Sequence, residues 1–126
     1  MKFTTTVSLS IAALALLSFS PAARAEGDPA AGKVVFNKCA VCHTVDPTKK
    51  SLGPTLFGVV GRHSASVEGY AYSPAMKAAD KTWDAATLDE YLTNPQGMVH
   101  GSKMIFPGLP KPEDRANVIA YLATLK

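Results

Sequence analysis

Cys39-Ala40-Val41-Cys42-His43 constrains this chain more than any other stretch, because it holds both cysteines and one of the three histidines. On a helical turn, two thiols at this spacing can add to the two vinyl groups of one haem and fix the macrocycle covalently. The histidine that follows is placed to reach the iron from one face. C-x-x-C-H is the attachment signature of c-type haem, whereas a bare C-x-x-C also reads as a redox dithiol or half a zinc site. A structural zinc wants four ligands and no second cysteine pair is present. No βαβ pattern surrounds Cys39 to suit a thioredoxin-like site. A structural disulfide would leave His43 without a role.

The beginning of the chain agrees with this chemistry. Met1-Lys2 is a short positive segment, Ile11 to Leu17 is apolar, and Ala23-Arg24-Ala25 is a small-x-small cleavage pattern. Residues 1–25 therefore read as a signal peptide, with the mature chain starting near Glu26. An uncleaved anchor is the alternative, but the apolar run is short for a bilayer span and Pro21 closes it. The expected location is the bacterial periplasm, where covalent attachment follows export, and no stable membrane insertion is expected.

Removal of 25 of 126 residues leaves 101, the size of one domain, and loses Lys2 and Arg24, so the net charge falls from +3 to +1. That balance gives no reason to expect nucleic-acid binding. A chain this small is short of core and gains from a staple. A haem supplies one.

The expected fold is all-α: helices separated by long loops, with no strand. Asp28-Pro29 caps a helix running through Lys38 that delivers both cysteines. Ser73 to Ala79 and Asp84 to Leu92 read as two further helices, the second stopped by Asn94-Pro95. Gly97 to Pro112 reads as loop, and Pro112 to Leu125 as an amphipathic helix with Val118, Ile119, Leu122 and Leu125 on one side. So much irregular chain in a compact domain is unusual. Wrapping around a central disc accounts for it.

From Gly32 onwards the chain resembles class I c-type cytochromes, of the bacterial cytochrome c2 type and similar to mitochondrial cytochrome c. The matching stretches include Gly32 to Phe36, Cys39 to His43, Leu52 to Leu56, Gly58 to Arg62, Asn94-Pro95, Gly101 to Phe106 and Glu113 to Leu122, in the family's order. The resemblance implies a cytochrome c domain over residues 26–126, wrapped around one covalent haem c.

Of the second-ligand candidates, Met76, Met98, Met104, His63 and His100, only Met104 sits in Gly-Ser-Lys-Met-Ile-Phe, which matches the family's ligand loop. His/Met ligation raises a haem's reduction potential. Met76 reads as a haem-facing core residue, and His63 and His100 as solvated loop residues. By the same resemblance, the Pro54 carbonyl accepts a bond from His43, which fixes its tautomer. Arg62, Tyr72 and Trp83 match donors to the inner propionate, and Tyr91 and Ser102 match polar residues near the thioether sulfur. Gly32, Phe36, Tyr121 and Leu122 match the contact between the terminal helices.

There are departures from the family. His100 stands where proline is usual in the ligand loop, which bears on its stiffness. Met76 replaces a polar asparagine. Gln96 and Gly97 replace docking-face lysines, although Lys38, Lys49, Lys50, Lys103 and Lys111 can still ring the haem edge and steer partners.

The implied function is a soluble, monomeric one-electron carrier rather than an enzyme. Its partners would be redox proteins docking transiently at the haem edge: a bc1-type complex, an oxidase, a reaction centre or a reductase, in respiration or photosynthesis. The alternatives are a dedicated acceptor for one periplasmic dehydrogenase, and a haem peroxidase, which needs an open iron with an acid–base group beside it.

Overall fold

The computed structural model describes residues 26–126; the signal-peptide reading of residues 1–25 lies outside the described residues. Among the described residues five helices form in chain order: α1 (Pro29–Phe36), α2 (Pro74–Ala78), α3 (Ala85–Thr93), α4 (Pro95–Met98) and α5 (Pro112–Ala123). Among the described residues the only β pairing is an isolated bridge between His63 and Thr82, so the all-α expectation holds.

Side-chain caps start four of the helices. Asp28, Ser73, Asp84 and Asn94 accept from the backbone N–H of Ala30, Met76, Thr87 and Gly97, with proline at the first helical turn of α1, α2 and α4. α5 has no side-chain cap, but Glu113 and Asp114 in its first turn suit the positive end of the helix dipole.

Two sequence expectations change. α1 ends at Phe36, and the cysteines lie on successive tight turns beyond it, where Cys39 N–H bonds to the Phe36 carbonyl at 2.8 Å and His43 N–H to the Cys39 carbonyl at 2.9 Å. Asn94-Pro95 does stop α3, but it also starts α4, because Asn94 is at once the end of one helix and the cap of the next.

α1 and α5 cross at Gly32, where a Cβ would lie 1.9 Å from the Asn117 carbonyl oxygen. Only glycine permits that approach. Phe36 and Tyr121 meet beside the crossing with ring centroids 5.3 Å apart and planes tilted by 59°, and Val118, Ile119 and Leu122 bury the inner face of α5. α5 also packs on α3, where buried Arg115 bonds to Asp89 at 2.8 Å and to the carbonyls of Leu109 and Pro110. This helical frame leaves the loops on its other side to form a hollow.

Candidate functional site

The hollow is a cavity of about 610 Å³, lined mostly by apolar side chains such as Leu56, Val59, Leu88 and Leu92. The ten residues given haem-binding or iron-ligand roles by the sequence all line it: Cys39, Cys42, His43, Pro54, Arg62, Tyr72, Trp83, Tyr91, Ser102 and Met104. They come from separate stretches of chain, and only the fold brings them together.

The turns after α1 place Cys39, half-buried, and Cys42, exposed, at the cavity wall as free thiols. Burial pushes the Cys39 thiol up, and the neighbouring Lys38 pulls it partly back. The His43 ring is seated between two constraints. Its Nδ1 lies 2.7 Å from the Pro54 carbonyl oxygen, which can only accept, so Nδ1 carries the proton and Nε2 keeps its lone pair. On the other side is Gly53, where a Cβ would come within 2.6 Å of His43 Cε1. Burial lowers the pKa of His43, the Pro54 bond opposes this, and the Arg62 charge lowers it further. The imidazole is thus neutral and oriented.

Across the cavity, the Tyr91 hydroxyl donates to Met104 Sδ at 3.3 Å. Burial raises the pKa of Tyr91, with a hydrogen bond to Ser102 in the opposite sense. The Tyr91 ring packs against the indole of buried Trp83 at 4.8 Å. Arg62 reaches the cavity with Nη1 and Nη2 bonded at 2.9 Å to the carbonyls of Phe57 and Thr55. Two of its five N–H donors are thereby committed, and the remainder suit an anionic group. The Tyr72 hydroxyl accepts from the Val67 N–H at 3.1 Å.

The other candidates separate cleanly. Met76 lines the cavity, as expected of a core residue facing it. Met98 packs on the core but lies outside the lining, and exposed His100 is also absent from it. His63 lines the rim, where its two ring nitrogens meet the Ser64 carbonyl and the Asp80 carboxylate, each at 2.9 Å. Lys38 and Lys103 stand at the cavity, whereas Lys49 and Lys50 line a neighbouring hollow of about 260 Å³.

Sequence reasoning missed Gln96. Read as a lost surface lysine, it is half-buried and turned toward the segment carrying Met104. No signal short of knowing that α4 exists could have found it.

The donor set fits a covalently held haem. The cavity offers apolar walls for a flat macrocycle, two thiols at one edge, a neutral imidazole and a soft thioether, with a guanidinium for a carboxylate. Among the described residues no group of three or more His, Cys, Asp or Glu could hold a metal ion by itself, which disfavours the zinc alternative.

Comparison with known proteins agrees. The family profile described as "Cytochrome c" matches residues 29–126. Cytochrome c2 from Rhodomicrobium vannielii is 52% identical over 111 residues, covering 87% of this chain and 89% of its own. Cytochrome c-554 from Methylosinus trichosporium is 55% identical over 100 residues, 79% of this chain and 76% of that protein. The solved structure of cytochrome cH from Methylobacterium extorquens matches with a TM-score of 0.74 at 44% identity, spanning 78% of this chain and 99% of that one.

Proposed function

The chain belongs to the cytochrome c family, and from that premise we propose that it is a soluble periplasmic one-electron carrier holding its haem iron between His43 and Met104. As a family member it is a small electron-transfer protein, not an enzyme, and its c-type haem is covalently attached. The observation that carries the ligand assignment is the pairing of His43 with the Pro54 carbonyl on one side of the cavity and of Met104 with Tyr91 on the other.

When bound, the haem iron supplies a one-electron ferrous–ferric couple; the chain supplies everything that sets its potential and access. Cys39 and Cys42 would hold the macrocycle by thioethers. Pro54 keeps the proton of His43 on Nδ1, which leaves the Nε2 lone pair free and would fix the basicity with which the ring holds the iron. Tyr91, donating to Met104 Sδ, orients the thioether and withdraws electron density from it. Arg62, Tyr72 and Trp83 would surround a propionate, whose charge is costly in an apolar interior. Ser102 completes the polar neighbourhood of the sulfur through its bond with Tyr91.

Carriers of this kind meet partners briefly. Lys38 and Lys103 at the cavity mouth, together with exposed Val41, Leu52 and Ile105, give a rim that is basic in places and apolar in others. A bc1-type complex, an oxidase, a reaction centre or a reductase would dock there, with charge steering the encounter. Among the described residues no helix is long and apolar enough to cross a membrane.

The decisive measurement is the absorption spectrum of the purified holoprotein. The oxidised form should show the weak long-wavelength sulfur-to-iron band, and Met104→Ala should abolish it and admit cyanide. A wild type without that band refutes the ligand assignment. Haem released by acidic organic extraction refutes the thioethers, and a periplasmic protein whose N-terminus is not near Glu26 refutes the cleavage site.

A further inference from the structure

Residues 100–106 carry Met104 yet make little backbone contact. Among the described residues their one backbone–backbone hydrogen bond is from Ser102 N–H to the Val99 carbonyl at 3.2 Å. Gly101 is in the left-handed region at φ +86°, and Ile105 is 97% exposed. Such a segment opens readily unless something else holds it.

Tyr91 holds the Met104 sulfur and the Lys103 ammonium bonds to the Ala71 carbonyl, but one side chain grips the backbone of the segment itself. Gln96 Nε2 lies 2.7 Å from the Met104 carbonyl oxygen and 3.2 Å from both the Ser102 carbonyl and the Ser102 hydroxyl. Gln96 Oε1 accepts from the Gly101 N–H at 3.4 Å, a longer and weaker contact. The amide orientation follows from its neighbours, since two of the three groups facing Nε2 are carbonyls that can only accept. The base of the clamp is firm: Gln96 is in the first turn of α4, directly after the Asn94 cap and buried Pro95.

We propose that Gln96 is a positioning residue for the sixth iron ligand, clamping residues 101–104 so that Met104 stays at the cavity. The inference rests on the ligand role proposed for Met104. Gln96 holds that residue by its backbone while Tyr91 holds it by its sulfur. The clamp accounts for how a ligand loop with His100 in place of proline keeps its shape.

The test compares wild-type holoprotein with Gln96→Met, which fills the same space without hydrogen bonds, and Gln96→Glu, which keeps the shape but cannot donate when ionised. External imidazole is titrated against the ferric protein at neutral pH, following the sulfur-to-iron band. Hydrogen exchange of the Gly101 amide is measured in parallel. Loss of the clamp should raise the open-loop population roughly tenfold in both variants. The apparent imidazole affinity should rise by the same factor, and Gly101 exchange should speed up to match. The denaturant midpoint for global unfolding should move far less.

If wild type shows the sulfur band and neither imidazole affinity nor Gly101 exchange moves by more than twofold in either variant, the clamp is wrong. It is equally wrong if Gln96→Glu behaves as wild type, for then shape alone suffices. A wild type lacking the band overturns the Met104 assignment instead, and the clamp with it.

Discussion

Gly32→Ala tests the helix crossing on which the whole frame depends. A methyl at residue 32 would lie 1.9 Å from the Asn117 carbonyl oxygen, 2.5 Å from its carbonyl carbon and 2.9 Å from Tyr121 Cβ. Comfortable contact begins near 3.4 Å, so α1 and α5 would have to part by roughly 1.5 Å. The two closest atoms belong to the backbone of α5, so no rotamer change relieves the clash. Overpacking of this kind costs about 1–3 kcal/mol. Parting the helices also loosens the Phe36–Tyr121 contact and the packing over Val118 and Leu122, adding a cavity cost of about 1–2 kcal/mol. Alanine in a helix interior returns about 1 kcal/mol. The net expectation is a loss of about 1–4 kcal/mol, against the ~5–15 kcal/mol typical of a domain. Guanidinium unfolding of the holoprotein should show a lower midpoint with an unchanged slope. Gly27→Ala is the comparator: its methyl would also meet α5 backbone, at 2.0 Å, but Gly27 precedes α1 and its segment can shift, so the loss should be smaller. A Gly32→Ala protein as stable as wild type would show that the helices yield freely and that the crossing does not require glycine.

Three further outcomes are expected. Gly53→Ala should push on the His43 ring, whose Cε1 a methyl would approach to 2.6 Å, and weaken its bond to Pro54; the reduction potential should shift, and an unchanged value would show that the ring has room to retreat. Arg115→Met removes bonds to Asp89, Leu109 and Pro110 and should cost about 2–3 kcal/mol in denaturant unfolding, discounted because Asp89 is partly exposed; a loss under ~0.5 kcal/mol would refute it. The His63 imidazolium is favoured by the hydrogen bond to Asp80 and then by the Ser64 carbonyl, so its folded pKa lies above the unfolded value of about 6.5. Its stabilisation is present below the unfolded value and fades as pH rises through the folded one. Asp80→Asn, which tolerates the left-handed backbone at φ +49°, should therefore be less stable than wild type near pH 5.5–6 and match it at pH 8–9; a gap that does not vary with pH refutes the ionic link.

Legibility followed the range of the signals. The caps at Asp28, Ser73 and Asp84 act within three residues, so the starts of α1, α2 and α3 were plain in the sequence. The end of α1 was harder, because the turns carrying Cys39 and Cys42 continue its hydrogen bonding with a slightly different pitch and look the same as a pattern. α4 was hidden by proline, which both stops one helix and starts the next, and only the Asn94 side chain on Gly97 N–H decides between them. His43, Pro54 and Met104 could be read because motif and family resemblance place them together. The long-range partners of Arg62, His63 and Gln96 could not, because which carbonyl a loop presents depends on how the loop closes.

The union of the first and last helices also sets the order of events in folding. The Asp28 N–H bonds to Asn117 Oδ1 across a sequence separation of 89 residues, and the Leu125 carbonyl accepts from Gly58 N–H. Closing so long a stretch of free chain costs about 4 kcal/mol by the logarithmic loop term alone. Until that contact closes, the two cysteines sit on a segment that α5 has not yet locked. Thioether formation therefore has its widest access before α5 closes on α1.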